Sequence, residues 1–256
     1  MPSTSSPKPG ILDGVRVLDF TAMMSGPYAT RLMADLGAEV IKIEPPEGDH
    51  IRSRPPQREG HSTYFAQLNC GKKSLALDLK KSAAVALVKQ LVVTADVVVE
   101  NYRPGVMQRL GLDYATLSAL NPRLVYCSIS GFGQTGDWAG RSAYAPVLHA
   151  GSGYDLANLD YQDGIARPLK NGIFIADVLG AAHAFGAIQL ALYERESSGL
   201  GQYVDVSLMD SVLGMLIYEM QAAQFPPERP RQVYEPVRAN DGYVMVAAVT
   251  QKNLEV

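Results

Sequence analysis

A β-branched run, a helical stretch and a second β-branched run follow one another between positions 15 and 43, and this succession constrains the fold more than any other feature. Residues 15–20 read VRVLDF, a strand pattern opening after Gly14. The apolar spacing over 27–36 predicts a helix closing at Gly37, and 39–43 (EVIKI) predict a second strand. Strand, helix and strand within so short a stretch make a unit whose two strands run parallel through a right-handed crossover. The pattern recurs, with strands predicted over 74–79, 96–101 (DVVVEN) and 124–130 (LVYCSIS) and a helix over 83–94. Alternation of this kind predicts an α/β fold, a Rossmann-like parallel sheet flanked by helices. Long apolar helices over 178–195 and 210–224 bracket a further strand at 202–208, whereas 131–170 read as irregular.

A chain of 256 residues, 47% of them hydrophobic, can bury one large core or two smaller ones. The net charge of −3, with acids and bases interspersed, offers no basic stripe, so neither nucleic acid nor an anionic membrane is expected as a partner. Cys70 and Cys127 lie far apart without metal-ligand spacing; two free, largely buried thiols and no metal site are expected. No apolar run approaches a membrane span, 97–99 being short and flanked by Asp96 and Glu100, and the cytoplasm is the expected location. Residues 1–10, rich in Pro and Ser, read as a flexible leader, 11–225 as the large domain, and 226–256 as a linker and the beginning of a small domain. Asn240-Asp241-Gly242, between apolar runs, predicts a hairpin turn, and 251–256 read as the start of a helix.

Among motifs, Gly131 to Gly136 (GFGQTG) fits the dinucleotide pattern GxGxxG, but Asp137, Gly140 and Pro146 interrupt the helix that such a loop must enter. Gly71-Lys72-Lys73-Ser74 resembles the end of a phosphate-binding loop, yet the required earlier glycine is Ala66. Residues 45–60, rich in Pro and Arg, form a long loop open to a functional or a merely connecting role. His149 reads as a satisfied core histidine more readily than as a base, His183 as packing, and His50 and His61 as solvated. No nucleophile-elbow pattern is present. Residues 100–105 (ENYRPG) bring an amide, a ring and a guanidinium to the carboxyl end of a strand, where α/β sheets bind ligands, although a solvated turn would look the same. Asp177 precedes a long apolar helix and reads as its N-cap. A carboxylate held at the positive end of a helix dipole and facing a strand-end cleft can also serve as a nucleophile toward a thioester.

Taken together, residues 12–21 (LDGVRVLDFT), Gly26-Pro27, 36–44 (LGAEVIKIE), 69–74 (NCGKKS), 96–105 (DVVVENYRPG), 120–124 (LNPRL), 131–136 and 199–202 (GLGQ) resemble, in order, the class III coenzyme A transferases. That family includes formyl-CoA transferase, carnitine CoA transferase and the α-methylacyl-CoA racemases. The resemblance implies that Asp177 attacks an acyl-CoA thioester, giving an aspartyl-acyl anhydride and then an aspartyl-CoA thioester. It implies coenzyme A contacts at Ala22, Met23, Met24, Ser25, Leu75 or Leu77, Asn101, Tyr102 and Arg109, with Arg103 beside Arg109 suited to phosphate. Acyl-CoA and a carboxylic acid are the implied substrates, no metal or redox cofactor is implied, and the family's interlocked homodimer is the implied assembly.

Two departures bear on the reaction. Met24 stands where formyl-CoA transferase has Gln, which argues against small polar acyl groups, and Tyr144 stands where the racemases carry a catalytic histidine. His149 is carried only as a candidate acyl-pocket residue. The family's glycine loop would lie beyond Val256, so the chain is expected to be shortened relative to the family. Two alternatives stay open: a 2-methylacyl-CoA racemase or epimerase with a base near Tyr144, and a non-catalytic CoA-binding fragment.

Overall fold

The computed structural model describes residues 10–168, 170–228 and 236–245. Six strands, β1 (Arg16–Asp19), β2 (Glu39–Glu44), β3 (Lys73–Ala76), β4 (Val97–Glu100), β5 (Val125–Ser130) and β6 (Tyr203–Ser207), form one sheet in the order β3-β2-β1-β4-β5-β6. Every pairing in it is parallel. This is the doubly wound arrangement, and its strand order reverses between β1 and β4, the switch point at which such sheets open a crevice beyond their carboxyl ends.

Strand alternation divides the core into two layers. Val17, Val97, Val99, Cys127 and Ile129 face α1 (Ser25–Asp35), α6 (Ala145–Gly151), α8 (Ile175–Ser198) and α9 (Leu208–Met215). Leu18, Val98 and Tyr126 face α3 (Ser82–Val92), α4 (Val106–Leu110) and α5 (Tyr114–Ser118). The remaining α-helices among the described residues are α2 (Thr63–Asn69), α7 (Tyr154–Asp160) and α10 (Ile217–Gln224), and the loop expected over 45–60 carries a short 3-10 helix at His50–Ser53.

Several expectations are corrected. The stretch after β5 contains α6 and α7; Pro146 lies in the first turn of α6, where a missing N–H costs nothing, and Gly153 takes a left-handed conformation ahead of α7. The single helix expected over 210–224 is two, broken at Leu216, whose side chain is buried while the next residue, Ile217, faces outward. Cys127 is buried, but Cys70 is exposed at the end of α2. His183 does not pack; it lies on the exposed side of α8, and His50 and His61 are exposed as expected.

Contrary to the sequence reading, one segment is long and apolar enough to cross a membrane by length and composition, and it is α8. Its apolar residues are used within the fold: Ala181, Ala184 and Ile188 are fully buried, and the helix packs on α1, α9, β5 and β6. A hairpin pairs Pro236–Arg238 with Tyr243–Met245 across the Asn-Asp-Gly turn. The leader up to residue 9, most of the linker, and the expected helix start at 251–256 lie outside the described residues.

Close backbone approach singles out Gly201, where a Cβ would overlap the Leu124 carbonyl just ahead of the β5–β6 pair. Gly201→Ala is therefore expected to cost about 1–3 kcal/mol in urea denaturation. Gly186→Ala, which meets open space inside α8, should instead stabilise by about 0.5–1 kcal/mol.

Candidate active site

The chain leaves β1 through residues 20–24, and the side chains of Asp19, Lys42 and Asn101 hold that loop, with Lys72 holding Asp19. Asp19 is fully buried; its Oδ1 accepts the Thr21 N–H and hydroxyl, and its Oδ2 accepts the Thr30 hydroxyl at 2.7 Å. Lys72 points its ammonium at Asp19 Oδ2 (2.9 Å), the Pro27 carbonyl (2.9 Å), Thr30 Oγ1 (2.8 Å) and Asn69 Oδ1 (2.9 Å). From β2, Lys42 donates to the Thr21 carbonyl at 2.6 Å and pairs with Asp49 at 3.1 Å. From the end of β4, the Asn101 amide clasps Ala22, accepting its N–H at 2.9 Å and donating to its carbonyl at 2.7 Å. Burial works to raise the Asp19 carboxyl, but Lys72 and Lys42 and the two hydroxyls outweigh it and hold the group below its usual value. An ionised Asp19 is thus the hub of the loop.

So anchored, the loop turns sharply. Met23 takes a φ of 67°, a left-handed conformation that a side-chain-bearing residue adopts at a cost of about 1–2 kcal/mol. A Cβ on Gly26 would overlap Thr21, so the re-entry into α1 fits glycine. The outcome is that Ser25, the first residue of α1, presents both its N–H and its hydroxyl to Asp177.

Asp177 is not the N-cap that the sequence suggests. Phe174 takes that place with no side-chain bond, and Asp177 is the third residue of α8. Its carboxylate accepts from Ser25 and from its own N–H, so two helix N-termini converge on one half-buried group. Burial raises its pKa to about 6, the three hydrogen bonds only partly offsetting the lost hydration. At neutral pH the group is mostly ionised, yet more basic than an ordinary carboxylate. Burial, and after it the charge of Asp177, lift the Tyr64 phenol above its normal value, which sets α2 on the same side of the site.

The other candidates distribute around this centre. Met23 is exposed and Ala22 and Met24 half-buried on the anchored loop, while Leu75 and Leu77 pack at the edge of the α3-side core. Tyr102 is half-buried and its N–H donates to Glu100; Arg103 and Arg109 are exposed. A cleft of about 380 Å³ opens on the α4–α5 side, where Arg103, Gln108, Tyr114 and Tyr203 surround Glu100 and Ser128. Asp177 does not line it, being on the opposite face of the sheet. Burial lifts Glu100 to about 7 despite its bonds to Ser128 and Tyr102. Tyr144 is 65% exposed at the start of α6, and His149 is buried at its end. Among the described residues no cluster of His, Cys, Asp or Glu could hold a metal ion. The loop Gly131–Gly136 runs into no helix; its Gln134 N–H donates to Asp205. Sequence reasoning missed Asp19, Lys42, Tyr64 and Lys72. Asp19, Lys42 and Lys72 all lie in the stretches that carry the family resemblance, but nothing in those stretches marks them as partners, and the glycine before Lys72 pointed to a phosphate loop instead.

The sequence profile described as CoA-transferase family III matches residues 12–256. The acetyl-CoA:oxalate CoA-transferase of Acetobacter aceti is 40% identical, the alignment covering 91% of this chain and 60% of that protein. The succinate–glutarate CoA-transferase of Agrobacterium fabrum is 38% identical over 96% of this chain and 64% of its own length. Among solved structures, a CAIB/BAIF family protein from Brucella suis superposes with a TM-score of 0.84 at 35% identity, covering 94% of this chain and 66% of that one. The chain thus spans under two thirds of the length of these curated relatives.

Two outcomes test the electrostatics. Because the folded-state pKa of Asp177 is raised, ionisation weakens the fold as pH climbs from about 4 to about 6. Asp177→Asn should therefore stabilise by about 1–3 kcal/mol at pH 8 and by nothing below pH about 4, read from melting curves across pH. Lys72→Met strands the Asp19 charge and should cost about 3–5 kcal/mol. Lys73→Met, on an exposed pair, should cost under about 1 kcal/mol.

Proposed function

This chain belongs to CoA-transferase family III, and from that premise we propose that it moves coenzyme A between carboxylic acids through Asp177. The observation that carries the reading is the half-buried Asp177 carboxylate, lifted to about 6 by burial and oriented by Ser25.

The steps balance without an outside oxidant or reductant. The Asp177 carboxylate attacks the thioester carbonyl of an acyl-CoA, the C–S bond breaks, and the coenzyme A thiolate leaves behind a mixed anhydride. The thiolate attacks the Asp177 carbonyl of that anhydride, releasing the donor acid as its carboxylate and leaving an aspartyl-CoA thioester. The acceptor carboxylate attacks that thioester, forming a second anhydride. The thiolate then takes the new acyl group and frees Asp177. Splitting one exchange between two poor partners into four acyl transfers is ordinary covalent catalysis. Burial that raises the basicity of Asp177 also raises its nucleophilicity toward the thioester. The donors of Ser25 hold the attacking oxygens in place and, at the two helix ends, stabilise negative charge that develops beside them. The anchored loop at Ala22 to Ser25, with Asn101 and Tyr102, is the proposed wall for the pantetheine arm, and Arg103 and Arg109 are the proposed phosphate contacts.

Glutarate in the name of one relative makes a dicarboxylic acid with an apolar middle the acceptor class to try first, in line with Met24; oxalate, named in another, is the small polar acid against which to compare it. A homodimer is the assembly proposed with it.

Incubation of the protein with acyl-CoA and hydroxylamine, followed by peptide mass spectrometry, should place a hydroxamate on Asp177. Asp177→Ala should abolish that label and lower turnover on the order of a thousandfold or more. The rate of labelling should rise with pH and level off above about 6, following ionisation of Asp177. Label on any other acid would sink the assignment.

A further inference from the structure

An α-helix begins with four N–H groups that its own carbonyls do not satisfy, and in α8 three of them, those of Ile175, Ala176 and Asp177, have identifiable destinations. Ile175 donates to the Ile173 carbonyl at 3.0 Å and Asp177 uses its own carboxylate, while the regular helical bonds begin with Val178 to the Phe174 carbonyl at 3.3 Å. The N–H of Ala176 alone among these goes to a side chain of another element: it donates to His149 Nε2 at 3.2 Å. Ala176 is fully buried and His149 is 1% exposed, so no solvent stands in for that bond.

His149 sits in the last turn of α6, with the Tyr154 ring at 5.2 Å, and α6 packs directly on α8. An imidazole nitrogen that accepts an N–H carries no proton, so the ring is neutral and its hydrogen is on Nδ1. Burial also lowers the imidazole pKa, with Asp155 opposing it.

We propose that His149 is a positioning residue for Asp177: it accepts the Ala176 N–H across the α6–α8 contact and so fixes where α8 begins, one residue before the nucleophile. The hydrogen bond is independent of the reaction assigned above; only its consequence for rate rests on that reading. The side chain acts from behind the helix, so its loss should slow acylation of Asp177 without weakening acyl-CoA binding.

The test combines ring tautomer, amide exchange and kinetics. In ¹⁵N-histidine-labelled wild-type protein at pH 7, the His149 ring should be protonated on Nδ1 and bare on Nε2. In His149→Leu, amide exchange at Ala176 should quicken at least ~10-fold, kcat should fall ~10-fold or more, and KM for acyl-CoA should stay within ~2-fold. His149→Gln, whose Oε1 can accept the same N–H, should keep exchange and kcat within ~3-fold of wild type. A proton on Nε2, unchanged exchange at Ala176 in His149→Leu, or equal loss of kcat in both variants would overturn the proposal. If His149→Leu does not fold, the wild-type tautomer and the exchange in His149→Gln decide. If the wild type forms no adduct on Asp177, the functional reading fails while the tautomer and exchange results still judge His149.

Discussion

The carboxyl edge of the sheet depends on one buried ion pair, Asp19 with Lys72. A carboxylate with no exposure is costly unless its oxygens are occupied, and here an ammonium, two hydroxyls and a backbone N–H occupy them. The same ammonium reaches the Pro27 carbonyl and the side chains of Thr30 and Asn69, so a single cation joins β1, α1 and the end of α2. With Lys42 and Asn101 gripping the next residues, the loop has little freedom, and the left-handed Met23 is the local strain that this anchoring sustains.

What the loop delivers is a pair of donors at Ser25, opposite the first turn of α8. Two helix N-termini meeting at one carboxylate would by themselves favour its charge. Burial favours its neutral form more strongly, and the balance leaves Asp177 well above an ordinary aspartate. That is a stability cost incurred at the candidate site: the fold would be firmer with a neutral side chain there, which could not carry the proposed chemistry. The structure meets the cost on all sides, with α1 in front through Ser25, α6 behind through His149 and the sheet below.

Much of the architecture was legible because it rests on local periodicity. The runs VRVLDF, EVIKI, DVVVEN and LVYCSIS announce strands, since residues buried on both faces must be apolar throughout, and the helices between them announce parallel pairing. The signals that misled were local signals decided elsewhere. Pro146 looked like a break but occupies the one turn of a helix that tolerates it. The helix over 210–224 looked continuous because nothing in its composition marks Leu216, where the backbone leaves helical values and divides it. The apolar content of α8 could equally describe a membrane span, and its packing on α1, α9, β5 and β6 is a tertiary fact.

By itself the sequence determined the alternation of strands and helices, the family motifs in their order, and Asp177 as the acid at the head of a long apolar helix. Only the tertiary structure decided what surrounds that acid. The partners of Asp19 stand as far away as position 72, those of Ala22 at 101, and that of Ala176 at 149. Hydrogen bonds between groups so distant along the chain leave no periodic trace. The shift in Asp177 comes from desolvation, which belongs to the packed molecule and to no residue in it.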